Sequence, residues 1–117
     1  MIEIREAQDL LTVVQELKSS GHRLCQICAT LVDESIEVIY TFEKDNVLAN
    51  YKFVVDARHP ELESVTEIYH YAFIYENEMH DLFGITFKNL ALDYSGNFFK
   101  VAVDTPWNPL FGKVGEN

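Results

Sequence analysis

The chain has 117 residues, 48% of them hydrophobic and 13% aromatic, which is enough for one domain with its own core and argues against disorder. Its formal net charge of -10 argues against nucleic acid or an anionic membrane as a direct partner, since both bind basic patches. An acidic N-terminus, two cysteines and no apolar run of membrane-spanning length predict a cytoplasmic protein with no direct membrane insertion.

The first half of the chain predicts one helix followed by three strands. Residues 5–20 carry apolar side chains at helical spacing, and Gly21 follows where a helix often ends. Residues 23–32 are rich in β-compatible side chains, and residues 36–42 and 47–55 alternate between apolar and polar. Short polar turns separate these three segments, which favours an antiparallel meander.

A second helix is predicted after the strands. Ser64 is a candidate N-cap because a glutamate follows three residues later, the spacing of a capping box. An apolar helical stripe then runs through either Tyr75 or Glu76, and we expect the helix to reach about Leu82 and stop at Gly84.

The rest of the chain predicts less regular structure. Residues 85–92 are expected to form a short extended segment or loop, and residues 98–104 a last short strand. The prediction is therefore a two-layer α+β domain over residues 1–104, with an antiparallel sheet of about four strands packed against two helices. Residues 105–117 form an extended tail that contains proline and Trp107.

The most informative segment is residues 76–87, with the sequence ENEMHDLFGITF. Three carboxylates lie close together, and Glu78 and Asp81 form a like-charge pair at i, i+3 near the C-terminus of a helix. Both placements are unfavourable for negative charge. We interpret them as a surface completed by a cationic partner, the alternative being a solvated acidic turn.

Other candidate chemistry is weaker. Cys25 and Cys28 form a CxxC, but no second ligand pair follows and the motif lies inside a predicted strand, so we expect two small buried side chains. Glu76 and His80 share a helix face and could ligate a metal, although such a pair is more often a local contact. Trp107 is either an interface anchor or part of the chain's own core.

The segment 76–87 resembles the signature of the 30-kDa subunit family of complex I, the respiratory NADH–quinone oxidoreductase. The shared pattern is two glutamates one residue apart, then Asp-Leu-Phe-Gly-Ile-x-Phe. Asn77 stands where the family usually has Arg, and residues 88–92 replace a Gly-His-Pro segment of respiratory members. In type the chain is more similar to the homologous small subunit of energy-converting membrane-bound [NiFe] hydrogenases.

The resemblance implies a non-catalytic subunit of the hydrophilic arm, without a catalytic residue, metal or cofactor of its own. Such a subunit would dock on the large quinone or [NiFe] subunit, beside its iron–sulfur neighbour, at the inner face of the cell membrane. It could self-associate when isolated. The resemblance implies that the interface includes Glu76, Glu78, Asp81, Phe83, Gly84 and Phe87. From the tail we add Trp107 to this set.

Two other functions stay open at this stage. One is a small metal-dependent enzyme that uses Glu76 and His80, with Asp81 as a further candidate ligand. The other is a stand-alone acidic module that binds a partner protein through Trp107.

Overall fold

The computed structural model describes residues 2–88, which form six strands, two α-helices and one short 3₁₀ turn. In chain order these are β1 Ile2–Arg5, the 3₁₀ turn Ala7–Asp9, α1 Leu10–Ser19, β2 Arg23–Val32, β3 Ser35–Lys44, β4 Val47–Asp56, β5 Glu61–Glu63, α2 Ala72–Phe83 and β6 Thr86–Lys88. Within this part of the chain no helix has the length and apolar character needed to cross a membrane.

The three long strands form the predicted antiparallel meander, with β3 between β2 and β4. The strand bounds agree with the prediction to within two residues, because β3 and β4 carry an alternating pattern, β2 is rich in β-compatible residues and short polar turns separate the three strands. Both turns use positive φ angles, 55° at Asp33 and 52° and 66° at Asp45 and Asn46, which are residue types that tolerate this conformation.

The fourth strand of this sheet differs from the prediction. β1 pairs with β4 in parallel, so the sheet has the order β1-β4-β3-β2 and is mixed rather than wholly antiparallel. Its four residues belonged partly to the predicted first helix, which in fact starts only at Leu10. A segment this short has too little alternation to indicate a strand, and its pairing with β4 decides its structure.

The core lies between the sheet and the two helices, which confirms the two-layer α+β domain. Tyr40, Phe42 and Phe53 form its centre and are completely buried. The rings of Tyr40 and Phe53 meet edge to face, with centroids 5.5 Å apart. The buried stripe of α1 consists of Leu10, Val13, Val14 and Leu17, as its periodicity predicts.

The second helix is shorter than predicted. It starts at Ala72, and the residues after Ser64 form turns in which Val65 accepts backbone hydrogen bonds from Ile68 and Tyr69. Ser64 is therefore not an N-cap. The predicted end is confirmed, because Gly84 is left-handed with a φ of 76° and its N–H donates to His80 O at 2.8 Å.

A second, smaller sheet joins the two ends of this helical segment. β5 pairs in parallel with β6, and Ser64 N donates to Lys88 O at 2.9 Å. β6 falls in the segment predicted as extended, while β5 was not predicted. The last predicted strand at residues 98–104, the domain boundary at residue 104 and the tail with Trp107 lie outside the described residues.

The cysteines are more exposed than predicted. Cys28 is exposed and Cys25 is half-buried, and both are free thiols. The cause is a shift in register between Leu24 and Gln26, which inserts Cys25 as an extra residue in β2. Leu24 and Ile27 therefore both face the core although they are three residues apart, and Cys28 lies on the outer face.

Candidate functional site

The inner face of helix α2 includes the first acidic residue of the signature. Ala72, Glu76, Met79 and Phe83 recur at helical spacing, and all four are buried. A carboxylate in this position needs hydrogen-bond donors, since a buried charge without them is strongly destabilising.

The donors come from the chain segment that precedes the helix. Glu76 Oε1 accepts hydrogen bonds from Ser64 Oγ at 2.7 Å and Thr66 Oγ1 at 3.0 Å, and Glu76 Oε2 accepts from Val65 N at 2.7 Å. Ser64 Oγ in turn accepts from Thr66 N at 3.1 Å. The carboxylate thus holds residues 64–66 against the middle of α2, and we call this arrangement the Glu76 clamp.

Burial sets the electrostatics of the clamp. It raises the pKa of Glu76 above its ordinary value, while the hydrogen bonds from Val65, Ser64 and Thr66 act in the opposite direction. The Tyr40 hydroxyl is completely buried, and burial together with the nearby Glu76 charge raises its pKa well above the usual range. Within residues 2–88 no basic side chain compensates the Glu76 charge, so its stability depends on neutral donors.

Several predicted interface residues therefore belong to the interior. Glu76 is completely buried, so the predicted pairing with a basic group of a partner has no exposed carboxylate oxygen to use. Phe83 and Phe87 are only 2% and 6% exposed and pack into the core. Gly84 is also buried and serves as the end of the helix.

The outer face of α2 carries the remaining acids. Tyr71, Ile74, Glu78 and Asp81 follow one another at spacings of three or four residues, and all are exposed. We call these four residues the α2 outer stripe. Its first half is apolar, with Tyr71 43% and Ile74 58% exposed, and its second half is acidic.

The acidic half lacks compensation from the described chain. In residues 2–88, neither Glu78 nor Asp81 forms a salt bridge or a side-chain hydrogen bond. Both lie in the second half of α2, towards the negative end of its dipole. The like-charge pair and the negative charge near the helix C-terminus, both predicted from the sequence, are thus present in the structure. A cation from outside this part of the chain can relieve both.

Three tyrosines fix the helical segment to strand β2, which sequence reasoning did not find. The Tyr69 hydroxyl donates to His22 O at 2.6 Å, and the Tyr75 hydroxyl donates to Cys25 O at 2.9 Å. The Tyr71 hydroxyl donates to Leu24 O at 2.7 Å and accepts from Leu24 N at 3.1 Å. The tyrosines were visible in the sequence, but only the strand backbone that they contact reveals their role.

The metal-enzyme interpretation loses Glu76 as a ligand, because both of its carboxylate oxygens accept hydrogen bonds in the clamp. One ring nitrogen of His80 is also occupied, since Nδ1 lies 3.0 Å from Ile85 O. Nowhere in the described residues do three or more His, Cys, Asp or Glu side chains come together as a metal site would require.

The α+β domain and the acidic signature at the end of its second helix are the two features that link this chain to a known family. The family model described as "Respiratory-chain NADH dehydrogenase, 30 Kd subunit" matches residues 4–93. The chain belongs to this family. It is a subunit of a multi-subunit respiratory redox complex, so other subunits of that complex are its partners.

Solved structures agree on the fold. The chain is similar to a trypsin-resistant fragment of Nqo5, with a TM-score of 0.67, 21% identity and coverage of 75% of this chain and 78% of that one. It is also similar to a chain of the membrane-bound sulfane sulfur reductase, an archaeal respiratory membrane complex, with a TM-score of 0.72 and 23% identity. That alignment covers 94% of this chain and 66% of the other. The comparison with curated proteins found no match.

Proposed function

We propose that this chain is a docking subunit of the hydrophilic arm, which binds the large quinone or [NiFe] subunit of its complex through the α2 outer stripe. The complex is of the NADH–quinone oxidoreductase or energy-converting hydrogenase type. The chain lies on the cytoplasmic side of the membrane and reaches it through other subunits, near the iron–sulfur protein that neighbours the large subunit.

The observation that carries this proposal is the contrast between the acids of α2. Glu76 has three donors within the chain, whereas Glu78 and Asp81 are exposed and have no partner in residues 2–88. Exposed like charges near a helix C-terminus cost a few tenths of a kcal/mol each, and a basic partner reverses the sign of that contribution. The net charge of -10 extends the same preference to the whole chain.

The apolar half of the α2 outer stripe determines how the partner surface must be oriented along the helix. Tyr71 and Ile74 present exposed apolar area at the start of α2, and the acids follow towards its end. The matching surface has an apolar patch beside Tyr71 and Ile74 and Lys or Arg side chains beside Glu78 and Asp81. An apolar centre with charged pairs at its margin is the usual composition of a specific interface.

Co-purification with the other subunits tests the proposal. The variant Glu78→Lys/Asp81→Lys is co-expressed with the large subunit and its iron–sulfur neighbour, and the recovered complex is quantified. We expect the affinity to fall by roughly 100-fold or more, because attractive charge pairs become repulsive. Thermal unfolding of the isolated variant should match that of the wild type, since both side chains are exposed.

A matched control makes the same change in net charge elsewhere. Glu6 and Glu16 are exposed and lie outside α2, so Glu6→Lys/Glu16→Lys should leave the association within a few-fold of wild type. Association that survives the reversal of Glu78 and Asp81, or that the control weakens equally, contradicts docking through the stripe.

A further inference from the structure

One edge of the main sheet is strand β2, which within residues 2–88 has a hydrogen-bonded neighbour on one side only. In an antiparallel ladder, alternate residues turn both backbone groups away from the partner strand. Leu24 is such a residue, because its N–H and C=O both contact the Tyr71 hydroxyl and not β3. Following the register, the next outward residues are Ile27, Ala29 and Leu31, which lie opposite Tyr40, Val38 and Ile36.

The first part of this edge is covered by side chains of the helical segment. Tyr71 satisfies both backbone groups of Leu24, and Tyr75 satisfies the carbonyl of Cys25. No such cover continues along β2: in the described part of the chain, nothing bonds to the outward groups of Ile27, Ala29 and Leu31.

The uncovered part also lacks the usual protection of an edge strand. Residues 26–32 read QICATLV and contain no charge and no proline, although 24% of the whole chain is charged. Lysine, proline or an inward charge normally prevents an edge from pairing with another chain. An apolar edge without these features is a template for an added strand.

We propose that residues 26–32 of β2 bind an extended segment of the partner subunit as an additional strand of the sheet. The inference rests on the proposed function, because it assigns a second contact to the partner that docks on α2. Tyr71 connects the two surfaces, since its exposed ring belongs to the α2 outer stripe and its hydroxyl lies on the β2 edge. A partner seated on the stripe is thus beside the start of the open edge.

The charges favour a partner subunit over a second copy of this chain. Two copies would each bring a net charge of -10 to the contact. The far end of the β2 edge also runs into the acidic turn at Asp33 and Glu34, whose side chains are exposed. The segment that fits has alternating apolar side chains along Ile27, Ala29 and Leu31, and basic residues at one or both ends.

Residue-resolved hydrogen exchange tests the added strand on the full chain, alone and in the purified complex. In the isolated chain we expect β3 to protect the amides of Cys28 and Thr30, whereas those of Ile27, Ala29 and Leu31, which have no bonding partner in residues 2–88, should exchange quickly. Slow exchange at these three amides in the isolated chain would show that residues outside 2–88 cover the edge, and would overturn the inference. In the complex we expect exchange at the three outward amides to slow by roughly 100-fold, with little change at Cys28 and Thr30.

The other outcomes each overturn the inference in a recognisable way. Unchanged outward amides in a complex that protects α2 would refute the added strand and leave the docking proposal intact. Protection that grows with the concentration of the isolated chain would assign the edge to a second copy.

A substitution of the outward amide gives an independent test. Ala29→Pro removes one outward donor and places a ring on the edge, and the bonds to β3 are retained because that N–H faces away from it. We expect at least a ~10-fold loss of affinity for the partner, with a native circular dichroism spectrum. Ala29→Ser, which keeps the N–H, should bind normally, and equal binding by both variants would overturn the proposal.

Discussion

Glu76 and Glu78 are two residues apart on one helix and have opposite environments. Glu76 is completely buried and accepts three hydrogen bonds, whereas Glu78 is exposed and has no bonding partner in residues 2–88. The α-helical rotation of about 100° per residue places them on different faces. The same acidic signature thus contains one residue that organises the fold and two that are available to a partner.

The outer face of α2 depends on the inner face for its position. The Glu76 clamp fixes the segment that carries Tyr69 and Tyr71, and these side chains bind the start of β2. The inner acid therefore positions the surface that the outer acids present. Loss of either class of acid should prevent assembly, but only loss of the inner one should destabilise the isolated domain.

The largest expected effect on folding follows removal of the clamp. Glu76→Ala leaves Ser64 Oγ, Val65 N and Thr66 Oγ1 without their acceptor, and we expect the free energy of unfolding to fall by about 3 kcal/mol. Chemical denaturation of the isolated chain measures this change. Glu78→Ala is the matched control and should stay within about 0.5 kcal/mol of wild type. Similar losses in the free energy of unfolding for the two variants would contradict the different roles of the buried and exposed faces of α2.

The clamp should also leave a pH dependence. Burial raises the pKa of Glu76 in the native state above its value in the unfolded state. At pH values between these two pKa values, the native state therefore binds more protons than the unfolded state. The contribution of this group to stability is therefore full below the unfolded pKa and is lost as the pH rises through the folded pKa. One group changes the free energy of unfolding by at most about 1.4 kcal/mol per pH unit.

Glu76→Gln isolates that contribution because the amide does not titrate. The stability of wild type relative to Glu76→Gln should decline as the pH rises above the ordinary glutamate pKa of 4.5. Denaturation curves at several pH values measure the difference. A difference that is constant with pH, or that grows in favour of wild type, would contradict a desolvated carboxyl group.

A smaller effect is expected where the helical segment meets β2. Tyr71→Phe removes the hydroxyl that bonds both backbone groups of Leu24, and we expect a loss of about 1 kcal/mol. Faster amide exchange at Leu24 would locate the change. Tyr51→Phe is the control and should be nearly neutral, since the contacts of Tyr51 with Phe42 and Arg5 involve its ring, which phenylalanine retains. An unchanged Leu24 amide would show that Tyr71 does not cover the edge.

The sequence predicts the long strands and the end of α2 well because local signals decide them. Alternation specifies β3 and β4, a long run of β-compatible residues specifies β2, and a left-handed glycine ends the helix. β1, β5 and β6 have three or four residues each, so long-range pairing determines them. Ser64 illustrates a signal with two meanings, since its spacing to Glu67 fits a capping box while its hydroxyl binds Glu76.

The site was predictable only in part. The signature correctly indicates the family, and the helical stripe already allowed either Tyr75 or Glu76 as an inward position. Choosing Glu76 requires knowledge that Ser64, Val65 and Thr66 supply hydrogen-bond donors to it. These three residues lie before the turns that lead into α2, so the helical pattern does not reveal the contact. Grouping Glu76 with Glu78 and Asp81 as one acidic surface therefore combined two different environments.

Docking through the α2 outer stripe can be tested by a structure of the assembled complex with resolved side chains. We expect Lys or Arg side chains of the partner to lie within about 4 Å of the Glu78 and Asp81 carboxylates. We also expect Glu76 to keep its bonds to Ser64, Val65 and Thr66. A complex in which Glu78 and Asp81 face solvent, or in which Glu76 has left the clamp to bind the partner, would contradict these expectations.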